Sequence, residues 1–217
     1  MLHSSSTRLI TVIVFGGLVA IGPAAAQQWE VGALGGGAFH LDKTVSGAVS
    51  GKAGLKPGFV AGGHLGYNAV GKWGGEMRYE FQRTPFRASS GGQSVDFAGQ
   101  THVVHYDFVV HANTREDAVR PYVAFGGGIK GYRGTGVERA FQPLSNVAIL
   151  SRVQQWQPML SFGAGIKWRV GNRMMFRAEI RDFVTPFPGD AIVPSPGNKI
   201  GGLLHNITPL FGVSYLF

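Results

Sequence analysis

The chain of 217 residues has no cysteine. That excludes disulfides and thiolate chemistry, and it excludes the lipid-modified cysteine of an anchored lipoprotein. Long apolar runs are also missing. After the first 26 residues none is long enough for a transmembrane helix, so a chain that crosses a membrane must do so as a closed barrel, because unpaired strand edges cannot face lipid. Glycine is abundant, at 34 residues, but it shows no G-x-y period, which rules out a collagen. Acidic residues are few: 12 Asp and Glu stand against 20 Lys and Arg, a formal charge of +8. No Ser lies at a useful spacing beside His102 or His205.

What is present begins with an export signal. Arg8 gives a short positive region, residues 9–21 form an apolar stretch, and Ala24-Ala25-Ala26 supply small residues for cleavage. The apolar stretch is well short of the roughly 20 residues of a spanning helix. Residues 1–26 are therefore expected to be a cleaved signal peptide and 27–217 a single domain. Loss of Arg8 takes the charge from +8 to +7. Export argues against nucleic acid as the anionic partner and favours lipopolysaccharide phosphates.

Eight segments alternate apolar and polar residues and read as strands: 29–39, 59–67, 73–83, 102–112, 120–132, 154–170, 174–183 and 205–217. Most are near the 9–11 residues of a tilted spanning strand. Their connections alternate in length. Residues 68–72, 113–119 and 171–173 are short or moderate, whereas 41–58, 84–101, 133–153 and 184–204 are long and rich in Gly, Ser, Pro and Asn. Spanning barrels have short periplasmic turns and long extracellular loops, which places both termini in the periplasm. The expected fold is all-β: an eight-stranded antiparallel up-and-down transmembrane β-barrel.

The two faces of these strands differ in chemistry. In the third, Trp73, Met77, Tyr79 and Phe81 oppose Glu76, Arg78, Glu80 and Gln82; in the sixth, Trp156, Leu160, Phe162, Ile166 and Trp168 oppose Gln155, Gln157, Ser161, Lys167 and Arg169. An Arg or Lys facing lipid near the midplane costs roughly 2–4 kcal/mol. The charged face is therefore the inner one. Glu76, Arg78, Glu80, Asp107, Lys130, Lys167, Arg169, Arg177, Glu179 and Arg181 are expected to neutralise one another in a polar, plugged interior, since eight strands leave only enough room for side chains. Aromatics sort by strand end into two girdles, with Trp29, Tyr67, Trp73 and Trp168 at the periplasmic edge and Trp156 at the outer edge. Pro158 and Pro209 interrupt strands and suggest a bulge or the limit of a paired zone.

The last seven residues, from Phe211 to Phe217, place an apolar residue at every odd position and end on an aromatic. With the strand and loop pattern, this ending resembles the eight-stranded outer-membrane barrels of the OmpA, OmpX and opacity-protein type, over residues 29–217. The resemblance implies an assembly signal at Gly212, Tyr215 and Phe217, read by the barrel-assembly machinery, with Leu210 departing from the polar residue usual at that place. It also implies periplasmic chaperones during biogenesis. No peptidoglycan-binding domain is expected after Phe217.

The search for chemistry gives no site. His105, His111 and Asp107 share the inner face and read as a hydrogen-bonded network, with His64 across the lumen. His102, Thr101, Asp182, His205 and Asn206 lie near the outer rim without a nucleophile held by a base. Gly126-Gly127-Gly128 falls inside a strand, so it is not a phosphate loop. No catalytic residue, cofactor or metal is expected. The expected role is structural or interactive, with partners among outer-membrane lipids, lipopolysaccharide and an unidentified surface ligand. Lys43, Lys52, Lys56, Arg87, Arg133, Arg139 and Lys199 motivate lipopolysaccharide contact. A narrow porin-like channel and a lipid A-modifying enzyme are the alternatives.

Overall fold

The computed structural model describes residues 29–68, 71–114, 116–138 and 141–217. The expected signal peptide, its cleavage site before Gln27 and the loop residue Arg139 lie outside them. No helix occurs among the described residues. The strands are β1 (Trp29–His40), β2 (Lys43–Gly47), β3 (Gly51–Leu55), β4 (Gly58–Asn68), β5 (Trp73–Arg83), β6 (Phe86–Ser90), β7 (Gln93–Phe97) and β8 (Gly99–His111). They continue with β9 (Val119–Gly134), β10 (Ala148–Leu150), β11 (Gln154–Val170), β12 (Met174–Pro186), β13 (Ile192–Pro194), β14 (Asn198–Lys199) and β15 (Leu203–Leu216).

Eight of these close on themselves in the order β1-β15-β12-β11-β9-β8-β5-β4, every pair antiparallel. They coincide with the eight alternating segments, with ends shifted by up to three residues. The first strand pairs with the last through Val31↔Tyr215 and Ala33↔Val213, so no edge is left in the cylinder. The first and last described residues lie at one rim, where Trp29 N–H donates to the Phe217 carbonyl at 3.2 Å. The turn from β11 to β12 at this terminal end is tight. Val170 pairs with Met174 across three residues, led by Gly171 in the left-handed region at φ +74°.

The two prolines mark places where ladders stop. Pairing of β1 with β15 lapses between Gly36↔Leu210 and Phe39↔Ile207 and resumes in unchanged register, so Pro209 sits in an interruption, not a bulge. Pro158 pairs with Ile129 of β9, but the ladder of β11 with β12 begins only at Leu160. Each missing N–H thus falls beside a gap in pairing.

The long connections are not irregular loops, which corrects the sequence expectation. They contain seven further strands, forming a five-stranded sheet in the order β14-β2-β3-β6-β7 and a two-stranded sheet of β10 and β13. Gly91 and Gly92, both at positive φ, make the two-residue turn that joins β6 to β7. Beneath these sheets Val45, Leu55, Phe86, Val147, Leu150 and Ile192, all at most 1% exposed, pack with Tyr132 and Leu204 of the barrel strands into one apolar core. The loop end of the barrel therefore carries a folded cap.

Burial of Phe86 predicts what holds this cap. Phe86→Ala removes a fully enclosed ring, a change that costs about 3–5 kcal/mol in a packed core. The expected result is faster protease cutting within residues 41–58 and 84–101, with heat-modifiable gel migration of the barrel retained. Loss of both together would show cap and barrel to be one unit.

Candidate functional site

Strand periodicity sends alternate side chains to opposite faces, and the closed sheet turns one face into an interior. Glu76, Arg78, Glu80, Asp107, Lys130, Lys167, Arg177, Glu179 and Arg181 are all buried, none more than 7% exposed. The outward residues are apolar: Trp73 is 58% exposed, Phe108 50% and Ile180 54%.

At the terminal end of the lumen the anchor is Glu30, which the sequence reading does not single out. Lys167 Nζ donates to it at 2.9 Å, Arg177 at 2.6 Å and the Ser214 hydroxyl at 2.7 Å, while His64 lies at 3.1 Å. Lys167 and Arg177 also hold Glu76, at 2.7 and 2.8 Å. Since Glu30 is on β1, Glu76 on β5, and the two cations on β11 and β12, these bonds cross the lumen instead of following one wall. Above them Arg78 bridges Glu76 at 2.8 Å and Glu179 at 2.9 Å. Glu179 also accepts from Tyr122 Oη and, at 3.2 Å, from Arg181 Nε; Arg181 in turn pairs with Asp107, which His105 meets at 3.1 Å.

Glycines make room for this filling. At Gly165 a Cβ would lie 2.7 Å from Glu179 Cβ and 2.8 Å from Tyr122 Oη, and at Gly163 one would lie 2.9 Å from Arg181 Cγ. A side chain at either place would displace a charged neighbour.

Lys130 differs from the other inner cations. Lys130 is fully buried but meets no carboxylate within 4 Å: its ammonium bonds the side-chain oxygens of Asn206 at 2.5 Å and Gln82 at 3.2 Å and lies 3.3 Å from His40, under the faces of Tyr132 and Phe183. Its partners at hydrogen-bond distance are thus neutral groups, where the sequence reading expects ionic ones. Arg169 lies half-buried beyond Lys167 at the terminal end. Arg120 was not singled out either; it is buried, with Asn68 at 3.5 Å. His111 meets the Lys72 carbonyl at 3.3 Å, separately from the His105–Asp107 pair.

The rims complete the picture. Trp29 packs on Tyr67 at 5.0 Å and Trp168 on Phe176 at 6.3 Å around the terminal end. Trp73 also faces outward there, while Trp156 lies over Gly131 near the cap. Tyr215 and Phe217 face outward, Tyr215 accepting from Arg173 at 2.8 Å; Gly212 lies against Leu34 and the stem of Arg177. Leu210 points inward beside Ala38 and Val60. On the outer face His205 Nδ1 meets Asp182 at 2.7 Å, yet no Ser or Thr hydroxyl bonds a His among the described residues. Thr101 turns inward and donates to Gln82 at 3.1 Å. No three His, Asp or Glu converge on a metal-sized site among the described residues.

In the cap, Asp96 binds both Arg87, at 2.6 Å, and Lys56, at 3.1 Å. The Arg87 hydrogen bond, aided by Lys56, holds the Asp96 carboxyl below the usual carboxylate range. A depressed folded-state pKa stabilises above the unfolded value and is lost as pH falls through the folded one, so these contacts weaken only in acid.

The cross-lumen bonds predict a large effect for one truncation. Arg177→Met leaves Glu30 and Glu76 buried with one cation fewer, a loss of about 3–5 kcal/mol for a broken buried pair. The temperature at which the folded gel band converts to the unfolded one should fall. Adding Glu76→Gln should cost less than the sum of the two single changes, because the two groups share one network.

Comparison with known proteins gives one family. The model of the outer membrane protein beta-barrel domain matches residues 11–217. None of the curated proteins compared matches the chain in sequence. Among solved structures, Neisserial surface protein A is similar at TM-score 0.56 and 12% identity, covering 87% of this chain and 97% of that one. The outer membrane protein OprG from Pseudomonas aeruginosa is similar at TM-score 0.57 and 12% identity, covering 89% and 98%. Likeness at such identities shows a shared fold and not a shared activity. With a closed eight-stranded cylinder, apolar outside, and a family match over nearly its whole length, the chain belongs to the outer membrane protein β-barrel domain family.

Proposed function

We propose that this protein is a non-catalytic barrel, closed to solutes, that serves the outer membrane as a structural and surface-interacting element. Its termini face the periplasm and its cap faces the outside. The observation that carries this reading is the continuous filling of the lumen: ionic from Glu30 to Asp107, amide and aromatic around Lys130, and apolar in the cap. A solute would have to break bonds that tie β1 and β5 to β11 and β12, each holding a buried charge. Outer-membrane lipids and lipopolysaccharide surround the cylinder. The barrel-assembly machinery takes Gly212, Tyr215 and Phe217 as its signal, periplasmic chaperones carry the chain there, and the cap presents the surface for an external ligand.

Planar-bilayer recording tests the closed lumen. Purified protein should give no stable conductance steps at neutral pH, and reproducible ion-selective steps would overturn the reading. The assembly signal is tested separately. Deletion of Phe217 or Tyr215→Asp should lower the yield of heat-modifiable barrel in outer-membrane fractions several-fold, while undiminished yields from both would remove the assigned role of the terminus.

A further inference from the structure

At the loop end the outer face carries a row of polar side chains above a mostly apolar belt. Phe59 pairs with Arg83, Gln100 pairs with Arg133, and Arg133 pairs with Gln154; Gln82↔Thr101 brings Arg83 and Gln100 next in the same register. Arg83 and Arg133 are exposed, and neither guanidinium has a hydrogen bond or ion pair with any described residue. The cap arginine Arg87 and Lys56 are by contrast both tied to Asp96.

The next row toward the membrane is aromatic: Phe81↔His102, His102↔Gly131 and Gly131↔Trp156. The indole of Trp156 lies over Gly131, with ring atoms within 2.9 Å of where a Cβ would be. His102 is fixed between Tyr79 Oη at 2.9 Å and the Gln100 amide at 3.2 Å. Beside this platform Phe59, Phe81, Arg83, Gln100 and Thr135 line a groove of about 360 Å³, where the rings of Phe59 and Phe81 lie 6.0 Å apart.

We infer that this groove binds the phosphorylated end of lipid A, with one phosphate on Arg83 and the other toward Arg133. Two unpaired guanidiniums on the outside of a spanning sheet, directly above an aromatic floor, match a ligand that is anionic at its head and apolar below. A free phosphate has no use for the floor. The arginines are separated by β8, two strand spacings or about 10 Å. That separation suits a glycolipid carrying phosphates at both ends of a disaccharide better than a phospholipid with one. The inference rests on the cap facing the outer leaflet, as proposed above.

Native mass spectrometry of the full-length barrel in detergent tests it, with bisphosphorylated lipid A, monophosphoryl lipid A and phosphatidylglycerol offered in turn. The expected result is one bisphosphorylated lipid A retained per barrel, about tenfold more weakly after loss of one phosphate. Arg83→Gln with Arg133→Gln should weaken retention by about tenfold or more, and Phe81→Ala should weaken it as well. Both arginines are exposed, so heat-modifiable migration should stay normal and show that the variants fold. The idea fails if the double variant retains lipid A like the parent, if phosphatidylglycerol binds equally well, or if millimolar inorganic phosphate displaces the lipid. Protease treatment of intact cells reads the orientation by itself. A cap cut only after the outer membrane is ruptured would sink the orientation while the lipid measurement still reported on the groove.

Discussion

A sheet surrounded by hydrocarbon cannot have an edge. Every backbone N–H and C=O left unpaired there costs several kcal/mol, with no water to take it up. Pairing of β1 with β15 is therefore the condition for all else, and it fixes the rest of the architecture. Closing eight strands sets a narrow interior, and alternation then assigns every side chain to acyl chains or to that interior. The interior must be filled without voids by side chains of very unequal size, which is why Gly163 and Gly165 face Arg181, Tyr122 and Glu179.

Filling with ions is not the most stable option in general. Desolvation of buried charges offsets much of their attraction, and a well-packed apolar substitute is often as good. What the ionic filling contributes here is selection. Glu30 satisfies groups from β11, β12, β15 and β4, so a slipped register would leave several buried charges unpaired at once. Each such charge costs far more than a lost apolar contact. An apolar lumen would tolerate the slip, and it would also make the two faces of each strand alike in lipid.

The barrel was legible because period-2 alternation in segments of ten or more residues has few other readings. The cap was not. Its strands are five residues or fewer, and in Phe86-Arg87-Ala88 and Val95-Asp96-Phe97 the alternation is too short to outweigh the surrounding Gly and Ser, although Gly91-Gly92 between them is a turn signal that could have been used. Glu30 escaped notice for a related reason. In β1 the inward face holds Gly32, Leu34, Gly36 and Ala38, so one carboxylate stands alone among small and apolar residues and the strand lacks a visibly charged face. The neutral partners of Lys130, His40, Gln82 and Asn206, come from β1, β5 and β15, a tertiary fact with no local trace.

Overall charge is similarly uninformative until it is located. The buried acids Glu30, Glu76, Glu80, Asp107 and Glu179 face the buried bases Arg78, Arg120, Lys130, Lys167, Arg177 and Arg181, five against six. The lumen is thus nearly neutral, and almost all of the chain's excess of +8 lies elsewhere. Part of that remainder is consumed locally, since Lys56 and Arg87 share Asp96. What is left uncompensated includes Arg83 and Arg133, at the level where the apolar belt ends. A positive charge at that height costs little, because it lies near the interface and not at the midplane. It also faces the one region of the membrane where phosphates are dense, so its attraction acts on lipid neighbours and not on solutes passing through the cylinder.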